Sequence, residues 1–400
     1  MNVNKIKDDF PFFINNSNTH FLDSAASSLK LGKGIKSLTN YLKNNGTNVH
    51  RGVYRLAHEA TNLYEKSRDK VAEFLNASSK EIIFTKGTTN SLNILALSLE
   101  GYINEGDEIL ISNLEHHSNF LPWLNLAKKR KANLKFIPLE NGMITLDNFK
   151  KSLTNKTKLV ITHHISNVLG YLTPIKEMIK LSKEKDALVV LDAAQSINKI
   201  KIDVKDLDID FLTFSAHKMY GPNGVGILYG KAKLLKELKP VEFGGEMVDE
   251  VKLNNPSFKD IPYKFEAGTP PIGEAIALGS VIDYLNQFDL NDLYQKEITL
   301  RNYLIDNLKD EKDLIIYNKD NITSLFTFNI KDVHPHDTAS FLDHYNVLVR
   351  AGHHCNQLTM KYLGVNSTVR ASFGIYNTLD DVKALILAIK ETIKFFKEGI

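Results

Sequence analysis

Six short stretches of this chain carry apolar residues side by side rather than at every second position, and that pattern restricts the folds open to it. They are Glu81-Ile-Ile-Phe-Thr85, Glu108-Ile-Leu-Ile-Ser112, Leu159-Val-Ile-Thr162, Leu188-Val-Val-Leu191, Phe211-Leu-Thr-Phe214 and Gly226-Ile-Leu-Tyr229. A strand with one wet face alternates polar and apolar residues. A strand without that alternation is covered on both faces, as in a parallel sheet between layers of helices. Helical spacing fills several of the intervals, for instance Glu59 to Leu75, Asn90 to Leu97 and Ile175 to Lys185. The sequence therefore predicts an α/β fold around a mostly parallel sheet.

Four hundred residues exceed one ordinary core, so two domains are expected. The pattern changes after about residue 275. A long helical stretch leads to Leu325-Phe-Thr-Phe-Asn-Ile330, a helix from Pro335 to Tyr345, a loop around Cys355 and a last helix from Leu379 to Lys397. That reads as a smaller α+β domain, with the linker between 275 and 300. A formal net charge of +3, spread over interspersed lysines and acids, gives no footprint for nucleic acid or a membrane surface. No apolar run is long enough to cross a bilayer. A single cysteine and an N-terminus without an apolar signal core suit a reducing cytosol, so a cytoplasmic location is expected.

The ends of the apolar strands carry the chemistry. In open α/β sheets, ligands sit beyond the carboxyl ends of the strands. There the chain places Asp192-Ala-Ala-Gln195, Ser215-Ala-His-Lys218, Gly87-Thr88-Thr89 at a helix start, and His163-His-Ile-Ser-Asn167. Pyridoxal phosphate needs such a set. Its aldehyde condenses with a lysine amine, and a carboxylate holds its ring nitrogen protonated. Its phosphate takes hydroxyls and backbone N–H groups at a helix N-terminus. Lys218, Asp192 and the Gly87-Thr88-Thr89 turn are the candidates, with Ser215 and His217 beside the phosphate. Taken singly, each has an ordinary reading: a surface lysine, a helix cap, a capping turn.

The one cysteine lies in Arg350-Ala-Gly-His-His-Cys355. A lone thiol makes neither an internal disulfide nor a multi-cysteine zinc site. Neighbouring histidines and an arginine favour a nucleophile, while a buried small hydrophobe is the alternative reading of the local motif. The pairs His116-His117, His163-His164 and His353-His354 do not predict a metal site. Adjacent side chains on a strand or helix point different ways, and no metal is expected.

The ordered motifs resemble the class V aminotransferase superfamily, and within it the group II (SufS-type) cysteine desulfurases. The matching segments are Leu22-Asp-Ser-Ala-Ala-Ser27, His50-Arg-Gly52, Lys86-Gly-Thr-Thr89, Glu115-His-His-Ser-Asn119, Ser166-Asn-Val-Leu-Gly170, Asp192-Ala-Ala-Gln195, Ser215-Ala-His-Lys-Met-Tyr-Gly-Pro222, Phe265-Glu-Ala-Gly-Thr-Pro270, Arg350-Ala-Gly-His-His-Cys355 and Arg370-Ala-Ser-Phe373. They span nearly the whole chain. The resemblance implies a pyridoxal-phosphate-dependent transferase of fold type I. It would have a large domain (21–285) around a seven-stranded, mostly parallel sheet, a small C-terminal domain (286–400), and an N-terminal segment (1–20) packing with the small domain.

It also implies the roles of the site residues. Lys218 would hold the cofactor and move protons, Asp192 would pair with the ring nitrogen, and Gln195 would contact the ring hydroxyl. His116 would stack on the ring and serve as acid or base. Thr88, Thr89, Ser215 and His217 would surround the phosphate, and Thr269 would reach the cofactor of a second subunit in a homodimer. Asn167 and Arg370 would hold the substrate carboxylate, with Arg350 at the cysteine loop, and Cys355 would take the sulfur of L-cysteine as a persulfide. A small sulfur-acceptor protein, SufU-type or SufE-type, would receive that sulfur for iron–sulfur cluster assembly. A selenocysteine lyase or cysteine-sulfinate desulfinase would use the same residues. An aminotransferase or kynureninase-like hydrolase, and a non-catalytic scaffold, are further alternatives. The chain departs from the family pattern at Asn356-Gln-Leu-Thr-Met360, where Ala-x-Pro-Leu-Met is commoner, and at Asn90, where an acid often stands.

Overall fold

The structure is a computed structural model that describes residues 3–252 and 255–398. Its centre is a seven-stranded sheet built from β1 (Ile82–Thr85), β2 (Glu108–Ser112), β3 (Asn133–Ile137), β4 (Thr157–His163), β5 (Leu188–Asp192), β6 (Phe211–Ser215) and β7 (Gly226–Gly230). The spatial order is β1-β7-β6-β5-β4-β2-β3, parallel throughout except that β7 runs antiparallel to both neighbours.

The apolar runs are explained by burial on two faces. Successive residues of one strand enter different cores: Ile82, Phe84, Val160, Leu212 and Ile227 join one, and Ile83, Leu159, Ile161, Phe211 and Leu228 the other. Helices cover both. The helix Arg55–Leu75 buries Ala57, Ala60, Tyr64, Val71, Ala72 and Leu75 at three- and four-residue spacing. It begins before the predicted Glu59. Leu63, apolar and within the helical spacing of Glu59 to Leu75, is nevertheless exposed. The helix Ile272–Leu285 is apolar nearly all round because other helices pack on it, including Gly32–Asn44 and Arg55–Leu75.

A second, antiparallel sheet is ordered β8 (Leu314–Ile316), β9 (Leu325–Ile330), β11 (Thr368–Ser372), β10 (Arg350–Gly352). Phe326, Phe328, Val369 and Ala371 pack there with Leu304 of helix Leu290–Leu308 and with Leu385 and Ile389 of helix Leu379–Glu398. The N-terminal segment touches both halves. Phe10 stacks edge-on against Tyr220 and Tyr376, Tyr284 donates to Asp9 (2.6 Å), and His20 meets Asp381 at 2.8 Å. His20–Phe21 pairs in parallel with Val347–Leu348, and Asp23 forms a bridge with Ser372. Residues 20–21 therefore form a separate two-stranded sheet with 347–348, and Asp23 reaches the small sheet at the end of β11. Among the described residues no helix is long and apolar enough to cross a membrane.

Candidate active site

The carboxyl ends of the central strands supply one wall of the site. β5 ends in Asp192, whose Oδ1 accepts the Ala194 N–H at 2.9 Å. β6 ends in Ser215, and Lys218 closes the 3₁₀ turn that follows. β1 leads through Gly87 (φ +145°) into the helix Thr88–Ser98. The Ser215 hydroxyl accepts the Thr88 N–H and bonds its hydroxyl, both at 2.8 Å. Gly226 of β7 lies under this turn. A Cβ there would stand 2.4 Å from the Gly87 Cα, so only glycine lets the two backbones approach.

The opposite wall is the cysteine loop, between β10 and the helix Gln357–Leu363. Gly352 has φ +134°, and His354 and Cys355 both have φ +52°. Two consecutive left-handed non-glycine residues cost roughly 1–2 kcal/mol each, so the surroundings must hold them. The Cys355 carbonyl accepts the His117 N–H at 2.8 Å, and the His354 carbonyl accepts the Asn167 side-chain amide at 2.9 Å. His354 Nε2 bonds the Thr368 hydroxyl at 3.0 Å. Asn356 is fully buried. Its amide donates to the Leu114 carbonyl (2.7 Å) and to Asn167 Oδ1 (3.1 Å), and its oxygen caps the next helix at the Thr359 N–H (3.2 Å). The departure at Asn356 is thus a clamp on the loop. Asn356→Ala should cost about 2 kcal/mol, from a lost cap and unpaired buried acceptors. Hydrogen exchange should quicken at 353–357, and unchanged exchange there would refute the clamp.

The two walls enclose a cavity of about 230 Å³. Lys218, Asp192, Gln195, His116, Thr88, Thr89, Ser215, His217, Asn167, Arg350, Arg370 and Cys355 all line it. Thr269 does not; it is exposed on the loop after Phe265. Ala25, Ala26, Ser118 and His354 also line the cavity, and sequence reading assigned them no part. Cys355 is exposed as well as cavity-lining, so its thiol is reachable from solvent. Gln195 donates to the Ala25 carbonyl (2.8 Å), and Thr89 bonds Ser118 (2.6 Å). Arg370 is buried: Nη1 donates to the Asn167 carbonyl (2.7 Å), and Nε has no hydrogen-bond partner among the described residues. Arg350 grips Asp23 through Nε and Nη2 at 2.9–3.2 Å.

The charge states follow from the enclosure. Solvent in the cavity reaches part of Lys218, yet burial pushes its amine below the ordinary lysine range, with Asp192 opposing and Arg370 adding to the shift. Burial raises the Asp192 carboxyl, and Lys218 partly offsets this. His116 is lowered to about 3, first by burial and then by Lys218, so it is neutral at pH 7. Its Nδ1 accepts the Ser118 N–H at 3.1 Å, which assigns the ring proton to Nε2.

His164 and His354, both buried, are lowered to about 4 and about 2, chiefly by burial. In the unfolded chain each would titrate near 6.5. Unfolding below that pH therefore takes up protons. Their stabilisation is complete above pH 6.5 and fades as pH falls toward 4 for His164 and toward 2 for His354, by up to about 1.4 kcal/mol per pH unit for each. Urea melts between pH 7 and 5 should show stability falling with acid, less steeply in His164→Asn. An identical slope in the variant would exclude His164 as a source. Among the described residues no cluster of three or more His, Cys, Asp or Glu side chains is set to hold a metal.

Residues 20–385 match the Aminotransferase class-V family. The chain belongs to that family, as the strand-end lysine and carboxylate in one cavity lead one to expect. Within it the chain stands with the cysteine desulfurases. It is 45% identical to a probable cysteine desulfurase of Halalkalibacterium halodurans over 99% of both chains. The cysteine desulfurase CsdA of Escherichia coli, in an S-sulfonic acid form, superposes with a TM-score of 0.93 at 34% identity over 99% of both chains. The apo cysteine desulfurase of Thermococcus onnurineus also gives 0.93, at 38% identity over 98% of both.

Proposed function

We propose that this protein is a pyridoxal-phosphate-dependent cysteine desulfurase that converts L-cysteine to L-alanine and takes the sulfur onto Cys355 as a persulfide, for iron–sulfur cluster assembly. The observation that carries this reading is the chain's single thiol in the same cavity as an enclosed lysine and carboxylate.

The donor set fits the cofactor. Lys218 offers an amine with reduced proton affinity. Asp192 has one oxygen held by Ala194, and its other has no hydrogen-bond partner among the described residues, which suits a ring nitrogen. Gln195 and His116, which also line the cavity, would border the cofactor ring. Thr88, Thr89, Ser215 and His217 gather at the N-terminus of helix Thr88–Ser98, where the helix dipole favours phosphate. When bound, the cofactor supplies an electron sink for charge developing at the substrate Cα.

Lys218 then takes and returns the Cα proton, a task helped by an amine that is easily neutral. His116 keeps Nε2–H as a donor toward the cavity. Arg370 and Asn167 hold the substrate carboxylate, and Arg350 borders it. The Cys355 thiolate attacks the substrate sulfur. An S–S bond forms, the C–S bond breaks with its electron pair returning to carbon, and a proton completes the methyl group of alanine. Thr269, exposed on its loop, would serve the cofactor of a second copy in a homodimer. We assign the large domain to 21–285 and the small to 286–400, the sulfur acceptor to a small protein of the SufU or SufE type, and the location to the cytoplasm.

The test is a mass spectrum of the cofactor-loaded protein after brief exposure to L-cysteine, with alanine quantified. One added sulfur on the Cys355 peptide, matched by alanine, is the expected result. Neither product would overturn the reading.

A further inference from the structure

Asn167 touches both the arginine side of the cavity and the cysteine loop. It lines the cavity with Arg370, and its backbone carbonyl accepts Arg370 Nη1 at 2.7 Å. Its side-chain amide is turned to the loop: Nδ2 donates to the His354 carbonyl at 2.9 Å, and Oδ1 accepts the Asn356 amide at 3.1 Å. Those two bonds fix which end of the Asn167 amide is the nitrogen. An amide nitrogen carries two N–H groups, and the second one of Asn167 has no partner among the described residues. Arg370 Nε is likewise without a hydrogen-bond partner there.

Asn356 holds this amide in place. It is fully buried, is anchored by its own donation to the Leu114 carbonyl (2.7 Å), and follows Cys355 directly. The backbone on either side of the thiol is closed by short bonds, from the Asn356 N–H to the His353 carbonyl (2.8 Å) and from the Cys355 N–H to His353 Nδ1 (3.1 Å). Alanine, commoner at this position in the family pattern, has no amide and makes no such bridge.

We infer that Asn356 is a positioning residue that couples the substrate-carboxylate site to the cysteine loop through Asn167, so that a carboxylate bound at Arg370 steadies the backbone of Cys355. This deepens the desulfurase reading and rests on its placing of the substrate carboxylate at Arg370 and Asn167. A carboxylate there takes the spare Asn167 N–H. The amide is then bonded through both N–H groups and through its oxygen, and it cannot turn without breaking all three bonds. Hydrogen bonds in such a chain polarise one another, so those to His354 and Asn356 strengthen. The loop loses freedom as the substrate arrives, and the thiol is held steady while there is sulfur to take. The coupling is reciprocal: a loop fixed by Asn356 presents an Asn167 already oriented for the carboxylate, which then binds more tightly.

The experiment uses cofactor-loaded wild type, Asn356→Ala and Asn356→Ser. Serine keeps an oxygen to cap the Thr359 N–H but is too short to reach Asn167. The probes are propionate, a carboxylate with neither amine nor thiol, and propionamide, its uncharged counterpart of nearly the same shape. Hydrogen exchange at 353–357 is measured with and without each, and calorimetry gives the propionate affinity. In wild type, propionate should slow exchange at 355–357 about fivefold, and propionamide should leave it unchanged. Both variants should bind propionate about fivefold more weakly, and their faster exchange should not respond to it.

An equal response to propionate in wild type and Asn356→Ala would overturn the inference, as would wild-type exchange that ignores propionate. Wild-type behaviour of Asn356→Ser would also overturn it, leaving the helix cap as what Asn356 provides. If one variant does not fold, the other decides alone; if neither folds, the wild-type response to propionate against propionamide decides. None of these measurements needs turnover. Absence of alanine from L-cysteine with wild type would remove the desulfurase reading, while exchange and binding would still judge Asn356.

Discussion

Lys218→Ala should lower alanine formation from L-cysteine by about 10⁴-fold, the upper end of what one positioned proton-transfer group contributes. The argument starts from position. Lys218 closes a one-turn element at the end of β6, in a cavity that also holds Asp192 and His116. His116 cannot replace it as a cationic acid, because burial, the largest cause of its lowered pKa and one that remains when Lys218 is removed, keeps the imidazole neutral near pH 7. Among the described residues no other lysine lines the cavity. Single-turnover alanine release by the cofactor-supplemented variant is the measurement, with the melting curve as a check on folding. Activity within about tenfold of wild type would take Lys218 out of the proton-transfer role.

Cys355→Ser should leave cofactor absorbance and the melting curve unchanged and remove persulfide formation, with sulfur transfer to an acceptor falling by at least about 10³-fold. The thiol is exposed, so its loss opens no core cavity, and serine is the same size and inherits the same φ of +52°. A hydroxyl is a far weaker nucleophile than a thiolate at neutral pH. Mass spectrometry of the 355 peptide and the acceptor together gives the answer. Normal sulfur delivery by the variant would show that sulfur leaves without visiting residue 355.

The central sheet was legible where strands are buried on both faces. β2 carries the boundaries read from Glu108-Ile-Leu-Ile-Ser112, and β4, β5, β6 and β7 differ from the reading by a residue or two at their ends. Strand β3 was not read, for a physical reason. It lies at the sheet edge, Asn133 and Lys135 face solvent, and Phe136 is exposed, so Asn-Leu-Lys-Phe-Ile has neither an apolar run nor clean alternation. Strands β8 and β10, of three residues each, are too short to show a period.

At the site, the residues that line the cavity sit at strand ends and turns, where an isolated polar group after an apolar run is visible in the sequence. Residues that act through a distant partner left no such signal. Asp23 belongs to a recognised segment, but its arginines come from strands more than 300 positions away. Asn356 was visible only as a departure; its use as a clamp required the Leu114 carbonyl and Asn167 to be brought beside it. His117 was one of a pair, and its grip on the loop, a backbone N–H to the Cys355 carbonyl and Nε2 accepting the Gln357 N–H (3.2 Å), needed residues about 240 positions away to be brought beside it.

The pairing of residues 20–23 with 347–348 and Ser372 bears on how the enzyme comes into being. The segment that carries Asp23 and supplies Ala25 and Ala26 to the cavity is made more than 300 residues before Val347, Leu348 and Ser372, which hold it. Contacts that close so long a loop are slow to form, and they reward the chain only after the intervening sheet exists. The large sheet with its lysine and aspartate can therefore be in place while the cavity still lacks its floor and its cysteine. On the roles proposed above, competence for sulfur chemistry arrives only when these two distant segments meet, so a nascent polypeptide that has not reached residue 355 would carry Lys218 without the thiol proposed to accept the sulfur.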